Sequence, residues 1–284
     1  MESLIEKIID KKELRGIEKE FINKIIKEYQ KNNSGKIEKI KEKNYNTKSK
    51  EFIELKKYVR KRLRELHGVF QKNKPSQNKK EEYIKEKNFD FHAEKTQKFL
   101  KTHRSTKERI SYYETVYSKI EKETGKIKSL ADLGCGLNPL SYSLLSELKE
   151  LFCVDINEEE IQFIKEFITS NRKIKGDALV LDLTKKENYD LIKNNTKKDC
   201  CFLFKTLDGL ESVSRGASKK LIDNINSRAI IISFSNKTIS GKSNITSERK
   251  WFGKILEDEE RRGKKVEKTT IGDEDYYIIQ DVKK

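Results

Sequence analysis

Residues 129–139 read SLADLGCGLNP, a short apolar run that leads into two closely spaced glycines and a proline. Glycines at 134 and 136 let the backbone turn tightly and approach a ligand where a Cβ would clash. The stretch lacks the Lys-Ser/Thr ending of a phosphate-binding loop, and the third glycine of the dinucleotide-binding pattern is replaced. It predicts a strand, a tight turn at Gly134 and Gly136 that faces a ligand, and a following helix.

Short β-like runs alternate with segments of helical spacing from this stretch to the C-terminus. The predicted strands are residues 129–133, 151–156, 178–183, 201–205, 229–234, 266–270 and 276–282. The predicted helices are residues 139–148, 158–169, 210–225 and 248–262. This alternation indicates a mostly parallel sheet with helices on both faces and with ligands at the carboxyl ends of its strands.

The last two predicted strands are joined by Gly272, Asp273 and Glu274. That connection is too short for a crossover helix, so these strands should form an antiparallel hairpin. The expected fold class is α/β: a Rossmann-like, seven-stranded sheet whose last strand is antiparallel, with a helical N-terminal domain before it. This is the layout of class I methyltransferases that depend on S-adenosylmethionine (SAM).

Carboxylates follow the second and third predicted strands. Asp155 comes about 20 residues after the glycine turn, the spacing at which a carboxylate meets a ribose diol. It is alternatively the N-cap of the following helix. Asp177 and Asp182 are candidate partners of an adenine amino group, and Asp182 is preferred because it closes the apolar run 178–181. With the hairpin and the altered glycine turn, these features indicate SAM rather than NAD.

The basic charge is concentrated near the N-terminus. The chain has 63 Lys and Arg against 47 Asp and Glu, a net charge of +16, and residues 1–104 contribute 30 − 17 = +13 of it. Apolar residues there recur at three-to-four spacing, which predicts helices. Residues 41–80 hold 14 Lys or Arg against 4 Glu. The candidate phosphate-binding residues are Lys56, Lys57, Arg60, Lys61, Arg62 and Arg64. A solvated helix face is the alternative for any one of them.

We therefore predict two domains, a basic helical RNA-binding domain at 1–104 and a SAM-dependent methyltransferase domain at 105–284.

The four cysteines show no CxxC spacing, so neither a metal site nor a disulfide is expected. No apolar run approaches the ~20 residues that cross a bilayer, and the first ten residues do not resemble a signal peptide. The expectation is a soluble, cytoplasmic protein that does not act at a membrane.

Four motifs resemble those of the Arm/FmrO-type aminoglycoside-resistance methyltransferases. They are HRSTKER at 103–109, DLGCGLNP at 132–139, FKTL at 204–207 and SFSNKTISG at 233–241. The resemblance runs from about residue 100 to the C-terminus. It implies methyl transfer from SAM to N7 of a guanine in the decoding region of 16S rRNA, with the small ribosomal subunit as partner and a monomeric enzyme without metal.

The resemblance also implies the roles of individual residues. Arg109 would grip the SAM carboxylate; the alternative is a surface arginine paired with Glu108. Lys205 would position the target base as well as touch the cofactor. The full set of implied cofactor residues is His103, Thr106, Arg109, Asp132, Gly134, Gly136, Asp155, Ile156, Asp182, Leu183 and Lys205. The candidate RNA-binding residues of this region are Lys237, Ser240 and Lys242, and the alternative for each is an ordinary loop residue that makes no contact.

Guanine N7 is unprotonated at neutral pH and already nucleophilic, so transfer from a sulfonium requires alignment more than a general base. The C-terminal part of the chain, which has no histidine, suits this chemistry. Two alternatives stay open at this point. The chain is either a methyltransferase for another rRNA or tRNA base, or an RNA-binding or ribosome-assembly protein that keeps the fold without activity.

Overall fold

The computed structural model describes residues 2–9, 19–67, 75–237 and 249–282. Its helices are α1 (Glu2–Ile8), α2 (Lys19–Asn32), α3 (Ser34–Glu42), α4 (Lys50–His67), α5 (Gln77–Glu86), α6 (Glu94–Leu100), α7 (Arg104–Arg109), α8 (Tyr113–Thr124), α9 (Glu158–Ser170), α10 (Tyr189–Asn195), α11 (Leu207–Val213), α12 (Ala217–Ile222) and α13 (Lys250–Arg261). Its strands are β1 (Ser129–Leu133), β2 (Glu150–Asp155), β3 (Lys175–Val180), β4 (Cys200–Phe204), β5 (Ala229–Ser235), β6 (Lys264–Ile271) and β7 (Glu274–Asp281). None of the helices in these ranges combines the length and apolar character of a membrane span.

The strands form one sheet in the order β3-β2-β1-β4-β5-β7-β6. Strands β1 to β5 are parallel to one another, whereas β7 lies between β5 and β6 and is antiparallel to both. The predicted α/β class, the seven-stranded sheet and the antiparallel last strand are confirmed. Because β1 lies between β2 and β4, the strand order reverses there and opens a crevice at the carboxyl ends of these strands.

Three predicted elements were wrong in extent or type. The third strand is Lys175–Val180, not 178–183, because this edge strand includes polar residues at its start, and Asp182 lies in the loop after it. Residues Asn138–Leu144 form a 3₁₀ helix, not the α-helix predicted at 139–148. The hydroxyl of Ser141 donates to the Asn138 carbonyl at 2.7 Å and so competes with the bonding pattern of an α-helix.

The helix predicted at 210–225 is two helices, α11 and α12. Ser214 is extended, with φ −147° and ψ 110°, and so ends α11. The Glu211 carboxylate accepts hydrogen bonds from the backbone N–H groups of Gly216 and Ser218, both at 2.9 Å. These donors lie at the N-terminus of α12, so an internal side chain stabilises the break. Helix α10 was not predicted at all.

Each face of the sheet carries its own apolar cluster. Along β4, Cys200, Phe202 and Phe204 face one cluster, while Cys201 and Leu203 face the other. Phe202 is fully buried, and its ring lies 4.6 Å from that of Phe204. The opposite orientation of the two adjacent cysteines is the one that strand geometry predicts.

A third apolar cluster joins α1, α2, α3 and α4. Helices α5 and α6 do not belong to it: Tyr83 and Phe99 pack with Phe163 of α9 in a cluster on the sheet. The N-terminal cluster meets the rest of the molecule mainly where α4 packs against α11. We use the name N-terminal helices for α1 to α4 only.

Replacing Phe202 with Ala should lower the free energy of unfolding by about 3–5 kcal/mol, because a fully buried aromatic ring leaves a cavity. Phe202→Leu should lower the free energy of unfolding by less, since most of the side-chain volume is kept. Ile53→Ala, at a side chain that is 39% exposed, should stay within about 0.5 kcal/mol of the parent. Urea denaturation measures all three, and equal losses for Phe202→Ala and Ile53→Ala would contradict the assignment of the core.

Candidate active site

The turn after β1 is fixed from two sides. Gly134 has φ +88°, and a Cβ at this position would lie 2.5 Å from Thr206 Oγ1. Gly136 has φ +47°, and its Cβ would lie 3.1 Å from His103 Nε2. The backbone N–H groups of Gly134 and Cys135 both donate to the Val154 carbonyl, at 2.7 and 2.9 Å. Both glycines are therefore needed for the close approach of neighbouring residues and for the positive φ.

Asp155, the last residue of β2, ties the glycine turn to the next loop. Its Oδ2 accepts from the Gly136 N–H at 2.9 Å, and its Oδ1 accepts from the N–H groups of Ile156 and Asn157 at 2.7 and 3.1 Å. Burial raises the pKa of Asp155, and these three donors counteract the rise. The side-chain cap of α9 is supplied by Asn157, which accepts from Glu160, and not by Asp155.

Asp182 and Asp177 have different environments. Asp182 is buried in the loop after β3, and its Oδ1 accepts from the backbone N–H and the hydroxyl of Thr184, at 2.8 and 2.6 Å. Asp177 has a half-exposed side chain that pairs with Lys165 at 2.9 Å. Of these two carboxylates, only Asp182 lines the cavity described next.

An open cavity of about 820 Å³, including solvent at its mouth, lies at the carboxyl ends of β1, β2 and β4. Eight of the implied cofactor residues line it: His103, Gly134, Gly136, Asp155, Ile156, Asp182, Leu183 and Lys205. Sequence reasoning missed the lining residues Glu160, Thr184, Thr206 and Val213, among others. The other three implied residues, Thr106, Arg109 and Asp132, are buried behind this lining.

Arg109 is only 2% exposed and is held by Glu274. Its Nε lies 3.0 Å from both carboxylate oxygens of Glu274, and its Nη1 donates to Asn138 Oδ1 at 3.2 Å. The guanidinium also lies 4.9 Å from the centroid of the Phe204 ring. Its Nη2 has no hydrogen-bond partner in the described structure. Arg109 is thus not the surface arginine of the alternative, and one buried donor remains available.

Asp132, at the end of β1, has an acceptor oxygen without a partner in the residues described, as Arg109 has a donor. Its Oδ2 accepts from the Tyr142 hydroxyl at 2.5 Å and from Asn138 Nδ2 at 3.4 Å, while Oδ1 has no partner in the residues described. Burial raises the pKa of Asp132 to about 7. The side chain of Asn138 therefore links two buried groups, one with an unused donor and one with an unused acceptor. An amino acid's carboxylate and ammonium have the charges that such a pair would bind.

Lys205 follows β4 and lies at the rim of the cavity. It has φ +57°, a left-handed conformation that costs a non-glycine residue about 1–3 kcal/mol and occurs often at functional sites. Its Nζ lies 2.8 Å from Glu108 Oε2 and 3.1 Å from Glu274 Oε2. The side chain is 12% exposed, so the ammonium lies between two carboxylates close to the cavity.

His103 and Thr106 shape the segment beside the glycine turn. The Thr106 hydroxyl lies 2.5 Å from the Leu100 carbonyl and 2.9 Å from the His103 carbonyl, so it fixes the backbone rather than facing the cavity. Burial, together with the cations of Arg109 and Lys205, lowers the pKa of His103 to about 3. The imidazole is therefore neutral at physiological pH.

The candidate RNA-binding residues of α4 divide into two groups. Arg60 Nε donates to the Ile8 carbonyl at 2.8 Å, and Arg62 pairs with Glu28 at 3.1 Å and also donates to the Ser212 carbonyl. Lys57 and Lys61 are exposed, and with Ile53, Lys56 and Arg60 they line a shallow surface depression. The side chain of Arg64 lies outside the description. Arg60 and Arg62 thus also hold elements together, while Lys57 and Lys61 lie exposed on the surface of α4.

The candidate RNA-binding residues after β5 are only partly described. Lys237 is exposed, with Nζ 2.5 Å from Asp273 Oδ2 in the hairpin turn. Ser240 and Lys242 lie outside the described residues.

Sequence reasoning missed two central residues, Glu274 and Asn138. Asn138 stood within the glycine motif without a role, although it contacts both Arg109 and Asp132. Glu274 begins β7 and lies 165 positions from Arg109 along the chain. No local pattern indicated Glu274, because its position at the carboxyl ends of the parallel strands depends on the pairing of β7 with β5.

A family model described as "Ribosomal RNA methyltransferase (FmrO)" matches residues 27–279. A "16S rRNA (guanine(1405)-N(7))-methyltransferase" of Micromonospora echinospora is 29% identical over 184 residues, 64% of this chain and 64% of that protein. A protein of the same name from Proteus mirabilis is 26% identical over 242 residues, 80% of this chain and 84% of that protein. The chain thus spans 64% of the length of the Micromonospora relative.

Solved structures share the fold. The 16S rRNA methylase RmtB has a TM-score of 0.66 and 21% identity, with 99% of this chain and 98% of RmtB covered. The 16S rRNA methylase ArmA has a TM-score of 0.54 and 24% identity, with 74% of this chain and 100% of that chain covered.

Replacing Glu274 with Gln should lower the free energy of unfolding at pH 7 by about 3 kcal/mol, because the buried cations Arg109 and Lys205 lose their shared anion. Burial raises the pKa of Glu274, but these two cations lower it further, to below 4.5. The carboxylate therefore stabilises the fold above pH 4.5, and its contribution disappears as the pH falls through the lowered pKa.

Urea denaturation between pH 3 and 8 should show the difference between parent and Glu274→Gln shrinking below about pH 4. Glu108→Gln is the matched control, because Glu108 also pairs with Lys205 but its side chain is 40% exposed. This variant should lower the free energy of unfolding by less than about 1 kcal/mol. Equal stability of parent and Glu274→Gln at pH 7 would show that the ion cluster does not hold the fold together.

Proposed function

Because the chain belongs to the FmrO family of ribosomal RNA methyltransferases, we propose that it transfers the methyl group of SAM to N7 of a guanine in the decoding region of 16S rRNA. The family predicted from the four sequence motifs is confirmed. The single observation that carries the proposal is the pair of unused buried polar atoms, Arg109 Nη2 and Asp132 Oδ1, behind the cavity.

The residues present fit the amino acid portion of SAM. Arg109 Nη2 would donate to its carboxylate, and the guanidinium is already oriented by Glu274 and Asn138. Asp132 Oδ1 would accept from its ammonium. When bound, SAM supplies an electrophilic methyl group on a sulfonium. These two residues would hold the amino acid end of SAM, and Lys205 lies in the wall of the same cavity.

The nucleoside portion fits the carboxylates along the cavity. Asp155 would accept from the ribose hydroxyls, and it is held in place by three backbone donors. Asp182 would accept from the adenine amino group through Oδ2, which has no hydrogen-bond partner in the described ranges and lies 3.7 Å from Lys24 Nζ. Ile156 and Leu183 add apolar surface beside these carboxylates, as an adenine ring requires.

The transfer needs no proton acceptor at the reacting atom. The N7 lone pair forms the new bond to the methyl carbon, the electron pair of the breaking bond stays on sulfur, and the guanine becomes a cation. His103, with a pKa of about 3, is neutral and forms part of the cavity wall. Lys205 positions the target base, since it lies at the rim of the cavity in a strained conformation held by Glu108 and Glu274.

The N-terminal segment 1–104 would bind rRNA phosphates. Lys57 and Lys61 on α4 and Lys237 after β5 would add phosphate contacts, as would Ser240 and Lys242, which lie outside the described residues. Such contacts release counterions, so the affinity for rRNA should fall with salt. The enzyme would act as a monomer on the small ribosomal subunit, in the cytoplasm, where ribosomes are found.

The affinity for S-adenosylhomocysteine (SAH) should depend on the protonation of Asp132. Its pKa of about 7 means that the carboxylate is ionised above that pH and neutral below it. An ammonium binds the ionised form, so the affinity should fall by up to about tenfold per pH unit below pH 6.5. Calorimetry at pH 5.5 to 8 measures this. Asp132→Asn should bind SAH weakly and without this slope; the same slope in both proteins would contradict the role.

The transfer assay should use labelled SAM with small subunits, naked 16S rRNA, large subunits and tRNA. Label is expected in 16S rRNA. Lys205→Ala should lower kcat at saturating SAM at least about tenfold while SAH binding changes less, because Lys205 acts on the target. Asp155→Ala should instead weaken SAH binding by about 1–3 kcal/mol.

Lys122→Ala, at an exposed lysine on α8, is the matched control and should retain parental kcat. Label in tRNA or large-subunit RNA alone would redirect the proposal to another base. Binding of rRNA without any transfer by the parent protein would favour an inactive RNA-binding protein.

A further inference from the structure

Lys24 of α2 reaches the loop after β3. Its Nζ donates to Thr184 Oγ1 at 2.5 Å and lies 3.7 Å from Asp182 Oδ2. The Lys24 side chain is 40% exposed, whereas that of Asp182 is 3% exposed. A residue 160 positions upstream of Thr184 therefore contacts the segment that we assign to adenine.

The hydrogen bonds around Thr184 run in one direction. The Lys24 ammonium donates to the Thr184 hydroxyl, and that hydroxyl donates to Asp182 Oδ1 at 2.6 Å. The Thr184 backbone N–H donates to the same oxygen at 2.8 Å. Asp182 Oδ1 is thus occupied, while Oδ2 has no hydrogen-bond partner among the described residues. Oδ1 thus accepts both hydrogen bonds, while Oδ2 lies within ion-pair distance of the Lys24 ammonium and keeps its capacity to accept a hydrogen bond.

Two other parts of the cavity wall contact the apolar cluster of the N-terminal helices. Ile156 and Val213 line the cavity and also pack against the apolar cluster of these helices. Next to Val213, the Ser212 carbonyl accepts from Arg62 of α4. Three separate segments of the wall, at 156, 182–184 and 213, therefore contact α1 to α4 or their cluster.

We propose that the N-terminal helices complete the cofactor site, with Lys24 as a positioning residue that holds Asp182 Oδ2 toward the adenine amino group through Thr184. The inference rests on the proposed function, because it assumes that SAM occupies the cavity. Within a chain of hydrogen bonds, each donor polarises the next, so the ammonium strengthens the bond from Thr184 to the carboxylate. Loss of Lys24 leaves Asp182 less firmly oriented without removing its charge.

The test is calorimetry with two ligands, SAH and S-inosylhomocysteine, in which a carbonyl replaces the adenine amino group. The parent should prefer SAH. Lys24→Met should weaken SAH binding by about three- to tenfold and leave S-inosylhomocysteine binding unchanged or stronger, so that the preference narrows. Lys24→Arg should restore part of the preference, because it keeps the cation.

Lys27→Met is the matched control, since Lys27 lies on the same helix and is exposed. It should leave both affinities at the parental values. A general structural loss in Lys24→Met would weaken both ligands alike, and that result, or an unchanged preference in both Lys24 variants, would overturn the inference. Lys24→Arg keeps the test decisive if Lys24→Met does not fold.

The two proposals fail differently. A parent protein that binds neither SAH nor S-inosylhomocysteine overturns the proposed function and this inference with it. A parent that binds SAH with a clear preference, which Lys24→Met leaves intact, keeps the proposed function and overturns only the role of Lys24.

Discussion

The buried carboxylate of Glu274 is the constraint on which the site depends. It lies between Arg109 of α7 and Lys205, which follows β4, and it also accepts from the Ser233 hydroxyl. A buried cation without a partner is strongly destabilising, so one anion fixes both. Glu274 accepts from Arg109 Nε and Asn138 accepts from Nη1, while Nη2 has no hydrogen-bond partner among the described residues and can donate to a ligand. The antiparallel insertion of β7 is what brings this carboxylate to the carboxyl ends of the parallel strands.

Much of the fold could be predicted because periodicity and turn residues report local structure. The glycine turn, the strand before it and the final hairpin all follow from short stretches of sequence. Asp155 and the preference for Asp182 over Asp177 followed from position relative to those strands. Glu274 and Lys24 could not be found this way, since each acts on residues about 160 positions away. Local patterns also could not show that Ser141 diverts a helix into 3₁₀ geometry.

Charge counting located the basic surface but could not assign each cation. Arg62 was a candidate for phosphate binding, yet it bridges α4 to Glu28 and to the Ser212 carbonyl. Lys24 was one lysine among many and reaches the cavity wall. In an excess of +13 over 104 residues, some cations stabilise the fold while others stay in solvent. Only tertiary contacts distinguish the two groups, and here they place Lys24 and Arg62 against segments of the cavity wall.

The chemical position of the transferred methyl group tests the account most directly. N7-methylguanine is a cation whose ring opens on borohydride reduction, so aniline then cleaves the RNA at that nucleotide. The account predicts cleavage at a single guanine of the decoding region in 16S rRNA from cells that express the protein. 16S rRNA from cells that express Asp155→Ala should show much less cleavage at this guanine. Methyl label in 16S rRNA without this cleavage, on an exocyclic amine, a pyrimidine carbon or a ribose hydroxyl, would contradict a transfer that needs no general base.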